Sequence, residues 1–332
     1  MDPISQASLG AVFAQSTTAA GRLRQASLAG ALAGFLPDAD VLIRSPSDPL
    51  LFLDYHRHFT HALAFVPIGG ALTAGLCVLL SRGRARFRDL LLPCLVGWAS
   101  HGLLDACTSY GTYLYWPFSQ ERVAWHIVSI VDPLFTLPLL FGVLWAARRK
   151  APNIARAFLL LAAAYLALGT FQLGKAEALQ QELVLERGHE TNRAEVKPSL
   201  GNNILFRAFY EHDGTFHVDA IRVPWFGEPQ VYPGGSHSAL VVEDFLEQHS
   251  LDQTRRNDIA RFDYFSAGYL IEDPRHPGMI SDFRYAAVPN AVAPLWGIDV
   301  LGTPPGRHPS LTHFRDIDAA KREQLVDMLL GH

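Results

Sequence analysis

Charge is what this chain of 332 residues has least of: Asp, Glu, Lys and Arg make up 18% of it, against about 25% in ordinary soluble chains. The deficit is local. Residues 1–174 hold 13 Lys/Arg and 9 Asp/Glu, or 13% of that stretch, whereas residues 175–332 hold 15 and 23, or 24%. That split excludes one uniform soluble globule and predicts two domains, 1–174 and 175–332. Cysteine is also scarce. Cys77, Cys94 and Cys107 lie in apolar stretches without a Cys-x-x-Cys pair, so no disulfide framework is expected and the three read as small buried apolar side chains. A basic stretch is missing from the second half, which excludes a nucleic-acid partner. No cleavable signal is expected, because the start carries Asp2 and no base before Arg22.

Long apolar runs are what the first half has in their place. Residues 62–80 contain no charge, nor do residues 157–174. Each is about the length of a membrane-spanning helix, ~18–20 residues. Residues 90–107 are interrupted only by His101 and Asp105, and 123–147 only by His126 and Asp132. Two weaker segments, 7–20 and 25–36, precede them. We therefore expect an α-helical polytopic membrane domain of four to six segments, followed by an α+β, strand-rich soluble domain. Ten of the 13 bases of the first half (Arg22, Arg24, Arg82, Arg84, Arg86, Arg88, Arg148, Arg149, Lys150 and Arg156) fall in alternate loops. The positive-inside rule makes those loops cytoplasmic. With six segments the C-terminal half is then extracytoplasmic.

In that arrangement the exceptions to the charge deficit gather near the outer interface. Asp38 and Asp40 end the second segment, and His56, His58 and His61 precede the third. His101 and Asp105 close the fourth, and His126 and Asp132 open the fifth. His101 and Asp105 are four residues apart and share one helix face, a spacing by which one helix offers two side chains to one ion. Ionisable groups at membrane depth are costly, so each is a functional candidate. Imidazole with carboxylate suits zinc, manganese or iron.

The ordered motifs Asp2-Pro3-Ile4-Ser5-Gln6, Leu36-Pro37-Asp38-Ala39-Asp40, His56-Arg57-His58-Phe59-Thr60-His61 and Ser100-His101-Gly102-Leu103-Leu104-Asp105 carry a resemblance, as do residues 108–118 and 131–138. Over residues 1–150 the chain resembles the YdjM-like bacterial inner-membrane proteins, described as membrane-bound metal-dependent hydrolases; the likeness continues loosely into 200–300. The resemblance implies Asp38, Asp40, His56, His61, His101 and Asp105 as metal or catalytic groups. Arg57, Thr60, Thr108, Ser109 and Asp132 follow as supporting positions. Two positions depart from the family: Gln6 stands where it has a His, and His58 where it has a small residue.

The expected function is a divalent-metal hydrolase, with zinc first among the candidate ions, in a bacterial inner membrane. An ion lowers the pKa of bound water, Asp38 or Asp105 is a candidate general base, and Arg57 can neutralise a phosphate oxygen. A site at the interface suits a phosphoester or ester in a lipid-like or envelope substrate. The alternatives are a non-catalytic membrane protein whose metal or polar cluster is structural or binds a partner, and a transporter. In the second half, 175–195 reads as a helical stem and 204–223 as a hairpin around His212-Asp213-Gly214-Thr215. Further strands are expected at 262–272, 279–288 and 294–301, and helices at 241–249, 253–260 and 316–330. The nine His of that half read as scattered surface residues.

Overall fold

A computed structural model of the chain describes residues 1–314 and 318–332. Its contacts divide the protein into two units. One holds residues 1–42, 55–171 and 200–203; the other holds 43–54, 172–199 and 204–332. The acidic segment 43–54 thus packs within the strand-rich unit.

The first unit is helical. Asp2 accepts from the backbone amides of Ile4 and Ser5, each at 3.0 Å, and with Pro3 in the first turn it starts α1, Pro3–Ser16. Helix α2, Leu23–Phe35, follows, then a 3₁₀ segment, Leu36–Leu42, that carries Asp38 and Asp40. A short helix α3, Leu51–Tyr55, and two 3₁₀ turns, Phe59–His61 and Leu63–Phe65, lead into α4, Val66–Leu80. Helix α5 is Phe87–Ala106, α6 is Pro133–Arg149 and α7 is Pro152–Glu186. Glycine brings α1, α2 and α5 together. A Cβ on Gly10 would fall 2.3 Å from the Gly30 carbonyl oxygen, and one on Gly97 2.7 Å from that same oxygen. Only residues without a side chain allow backbones this close.

The expected number of membrane segments is corrected. Among the described residues, two helical stretches are long and apolar enough to cross a membrane, Leu63–Leu80 and Pro152–Glu186, where four to six were expected. At 1.5 Å per residue, α1 (14 residues) and α2 (13 residues) reach only ~20 Å of the ~30 Å hydrocarbon core. Residues 123–132 are not helical, because Asp132 caps α6 through the amides of Leu134 and Phe135. That leaves α6 with 17 residues. In α5, polar residues at both ends (Arg88 and Asp89, His101 and Asp105) dilute the apolar run. Large apolar side chains still cover the outside of the helices: Leu28 is 75% exposed, Leu79 73% and Leu160 71%. Such a surface suits lipid rather than water.

In the second unit, β1 (Arg193–Pro198), β2 (Leu205–His212), β3 (Thr215–Arg222) and β4 (Gln230–Ser238) form an antiparallel meander. The expected 204–223 hairpin is its β2–β3 pair, with Phe206 opposite Ile221. Helices α8 (Val242–Gln248) and α9 (Gln253–Phe265) precede a second antiparallel sheet of β5 (Leu270–Glu272), β6 (Met279–Asp282), β7 (Trp296–Asp299) and β8 (Leu311–His313). Helix α10, Ala319–Leu330, closes the chain; residues 316 and 317 of the helix expected there lie outside the described residues. Alternation along β2 sorts the core. Phe206 and Ala208 pack on Leu173 and Ala176 of α7, while Phe209 packs on Tyr269, Ile271 and Phe283 of the second sheet. With both faces covered, β2 is buried over six consecutive positions. Residues 262–265, expected as strand, are the last turn of α9, and the expected stem ends at Glu186.

Candidate metal centre

Four side chains from three places meet inside the helical unit. Asp38 comes from the 3₁₀ segment after α2, His61 from the turn before α4, and His101 and Asp105 from the last turns of α5. One ligand atom of each lies within 4.8 Å of the others. The His61 and His101 Nε2 atoms are 2.9 Å apart. Asp38 Oδ1 is 3.4 Å from both, and Asp105 Oδ2 is 3.2 Å from His61 Nε2 and 3.7 Å from His101 Nε2. His61, His101 and Asp105 are buried; Asp38 is half-buried.

The outer partners decide which atoms face inward. His101 Nδ1 lies 2.6 Å from the Gly34 carbonyl oxygen. A carbonyl only accepts, so the ring carries a proton on Nδ1, and Nε2 is the nitrogen turned toward the cluster. His61 Nδ1 faces Thr60 Oγ1 at 3.0 Å and Asp40 Oδ2 at 3.3 Å. This is the carboxylate–imidazole pairing that orients a ligating ring. Gln6 Nε2 donates to Asp105 Oδ1 at 2.9 Å, and the Met1 amine donates to the same oxygen. Asp105 Oδ2 is left buried without a hydrogen-bond partner. Arg57 Nε at 3.4 Å and His61 Nε2 at 3.2 Å face it without closing an aligned hydrogen bond, which leaves this oxygen able to share a further cation.

Asp40 is the hub around this group. Besides His61 it accepts from His56 Nδ1 at 2.8 Å, from the Arg57 amide at 2.9 Å and from Thr60 Oγ1 at 2.8 Å. Asp38, Asp40 and His56 also form a grouping of ligand atoms. Arg57 is buried, with a left-handed backbone at φ 65°. Its Nε is 3.4 Å from Asp105 Oδ2, it donates to Thr108 Oγ1 at 3.0 Å, and it stacks over Tyr110.

Burial opposes charge on these groups, and their contacts overturn it. Burial raises the Asp38 carboxyl, but the His101 and His61 rings beside it hold it well below the carboxylate range. Burial likewise raises Asp40, and His56 and His61 bring it down. For His61, burial acts downward, and the close carboxylates of Asp105, Asp38 and Asp40 carry it up to about 10. The carboxylates thus set up a field that favours positive charge at this point, proton or metal ion. Two imidazoles and two carboxylates suit zinc, manganese or iron.

The structure places Asp38, His61, His101 and Asp105 in one group, Asp40 and His56 beside it, and Arg57, Thr60 and Thr108 on its rim. Asp132 is the cap of α6 and takes a hydrogen bond from Tyr165 at 2.7 Å. His58 sits in an aromatic nest, 4.6 Å from the Tyr113 ring and 5.6 Å from Trp116. A further grouping, Asp48, Asp258 and His308, lies in the strand-rich unit. Spacing in the sequence gives no sign of it, because its members are remote in the chain.

Helices sheathed in apolar side chains around a buried imidazole–carboxylate group define a membrane protein with a centre that can hold a divalent ion. The chain belongs to the YdjM inner membrane protein family, whose model matches residues 1–176. It is 33% identical over 153 residues to inner membrane protein YbcI of Escherichia coli (strain K12), covering 36% of this chain and 83% of that protein. It is 28% identical over 123 residues to YfhP of Bacillus subtilis (strain 168), 37% of this chain and 36% of that protein. No solved structure matches the chain.

Proposed function

We propose that the protein is a multi-pass, membrane-bound, metal-dependent hydrolase of the bacterial inner membrane. Its centre lies at the outer interface, its strand-rich unit is extracytoplasmic, and it cleaves a phosphoester or ester in a lipid-like or envelope substrate. The observation that carries this reading is the quartet Asp38, His61, His101 and Asp105, with the Nδ1 of both rings committed elsewhere and Asp105 Oδ2 closing no aligned hydrogen bond. His61, His101, Asp105 and Asp38 would hold the ion, zinc being the first candidate. The bound ion would acidify water and polarise a phosphoryl or acyl oxygen.

The chain's own groups divide the remaining work. Asp38 keeps 19% of its side chain exposed while Asp105 keeps 1%, so Asp38 is the carboxylate that water reaches, and an oxygen of it not committed to the ion is the candidate general base. Asp105, pinned by Gln6 through its other oxygen, is fixed as a ligand. Arg57 steadies Asp105 and supplies positive charge toward a phosphoryl oxygen. Asp40 holds the His61 ring and the 56–60 turn in register. Four donors on one carboxylate make that arrangement stiff, as catalytic geometry requires.

The test is metal analysis and a phosphoesterase and esterase panel on detergent-purified protein, wild type beside His61→Ala. Wild type is expected to retain a stoichiometric divalent ion and to turn over one substrate class; the variant is expected to lose both. Metal-loaded wild type that is inert toward phospholipids, lipid phosphates and acyl esters would overturn the proposal.

A further inference from the structure

Helix α7 carries a marker of depth. Between Arg156 and Lys175 it has no charge, a run of roughly 27 Å at helical rise, close to the thickness of a hydrocarbon core. The membrane boundary on the C-terminal side therefore falls near Gln172–Lys175.

At that level the strand-rich unit grips the helix. Gln172 is buried and donates through Nε2 to the Val223 carbonyl at 2.6 Å, and Leu173 packs in one apolar cluster with Val223. Val223 opens the loop between β3 and β4, Val223-Pro224-Trp225-Phe226-Gly227. Its tip turns at Gly227, φ 103°. Trp225 is 47% exposed and Phe226 91%. Two consecutive aromatic side chains on a loop tip gain nothing from water. At the boundary of a bilayer the same pair is favoured, because amphipathic and aromatic rings accumulate at headgroup level.

We propose that the Trp225–Phe226 loop is a lipid-contacting anchor that seats the strand-rich unit in the headgroup layer of the membrane α7 is long enough to cross. The inference rests on α7 crossing the bilayer and is independent of any hydrolytic activity. The occupant follows from this attachment: the loop is hydrogen-bonded to the helix at Gln172, where its apolar run ends. The opposite end of the same strands, the β2–β3 turn at Asp213, lies about 27 Å away along β3 and keeps 90% of the Asp213 side chain exposed. It provides an internal reference.

The experiment uses the full chain in nanodiscs of phosphatidylethanolamine and phosphatidylglycerol, in a Cys77→Ser background; Cys94 and Cys107 are buried. An environment-sensitive fluorophore is placed at Phe226→Cys or at Asp213→Cys, both exposed positions that leave the core untouched. At 226 the expected result is blue-shifted emission, quenching by lipids with a headgroup nitroxide, and several-fold weaker iodide quenching than at 213. A label at Glu228→Cys is expected to gain iodide accessibility several-fold when Trp225→Ser and Phe226→Ser are added. Iodide quenching equal at 226 and 213, or no lipid quenching at 226, overturns the anchor and leaves the loop facing water, free for a protein partner.

Discussion

Two clusters of histidine and aspartate, one in each unit, use the same residue types to different ends. In the helical unit, Asp38, His61, His101 and Asp105 turn their polar atoms toward one another, and Asp105 Oδ2 closes no aligned hydrogen bond, with Arg57 Nε held off at 3.4 Å. In the strand-rich unit, Asp48, Asp258 and His308 make a comparable grouping, but Arg261 fills it. The guanidinium bonds Asp48 at 3.0 Å, Asp54 at 2.6 Å and Asp258 at 2.7 Å, and His308 Nδ1 lies 2.7 Å from Asp258. Here a cation built into the chain satisfies the carboxylates. The difference teaches that donor count alone does not define an ion site; what matters is how far the protein's own cations reach, since Arg57 and the Met1 amine meet the first group only at Asp105, whereas Arg261 bonds each carboxylate of the second.

The largest effect expected from breaking this contrast is at the ligands. His61→Ala or Asp105→Asn should lower divalent-ion affinity by ~100-fold or more, since even a residue that only orients a ligand is worth ~10–100-fold; calorimetric titration of metal into stripped protein checks it. Next, Arg261→Ala should convert the second cluster toward the first. It leaves three carboxylates without their cation and should destabilise the strand-rich unit by roughly 2 kcal/mol, below the cost of a wholly buried pair because Arg261 is partly exposed. Thermal unfolding of that variant should then recover on adding Ca²⁺ or Mn²⁺, whereas wild type should not respond at this site. A variant indifferent to both ions would show that the two clusters differ by more than one guanidinium.

Smaller changes sharpen the first cluster alone. Asp40→Asn should weaken metal binding by ~10-fold through the His61 ring. Gln6→Ala, which frees Asp105 Oδ1, should cost less still.

How far these clusters were legible in the sequence differs for a physical reason. The first is built from short motifs, Asp-x-Asp, His-x-x-x-x-His and His-x-x-x-Asp, each within a turn or two of chain, so spacing and depth offered its members as candidates beside His58, His126 and Asp132, and the family resemblance narrowed the set. The second joins Asp48 to Arg261 across 213 residues, and no local pattern announces such a contact. The fold divides likewise. The β2–β3 hairpin was readable from alternation, but β1, β4 and β8 were not, being short, at sheet edges or polar. The excess of expected spans arose because hydropathy does not see where a helix starts. The Asp132 carboxylate and Pro133 begin α6 ten residues later than the apolar run.

The smallest expected effect is one of pH in the strand-rich unit. The His189 ring stacks on His212 at 4.1 Å and lies 4.8 Å from His217, with Arg187, Tyr210, Glu190 and Asp213 nearby. Burial, the neighbouring imidazoles and Arg187 push His217 and His189 below the ordinary value of 6.5. The folded state then binds fewer protons than the unfolded one, so stability is full above that value and falls as pH drops below it. Melting of this unit should come a few degrees lower at pH 5.5 than at pH 7.5, and the drop should shrink in His212→Ala.

One consequence lies in the glycines. Gly34, whose carbonyl oxygen faces His101 Nδ1, touches α1 so closely that a Cβ there would fall 2.5 Å from the Gln6 carbonyl oxygen. Gln6 is also the residue that holds Asp105. A single added methyl would therefore disturb two ligands at once without touching either. The tolerance of this centre is set where the chain has no side chain at all: a blank space machined between two helices, which keeps both the Gly34 carbonyl and the Gln6 amide within reach of their ligands.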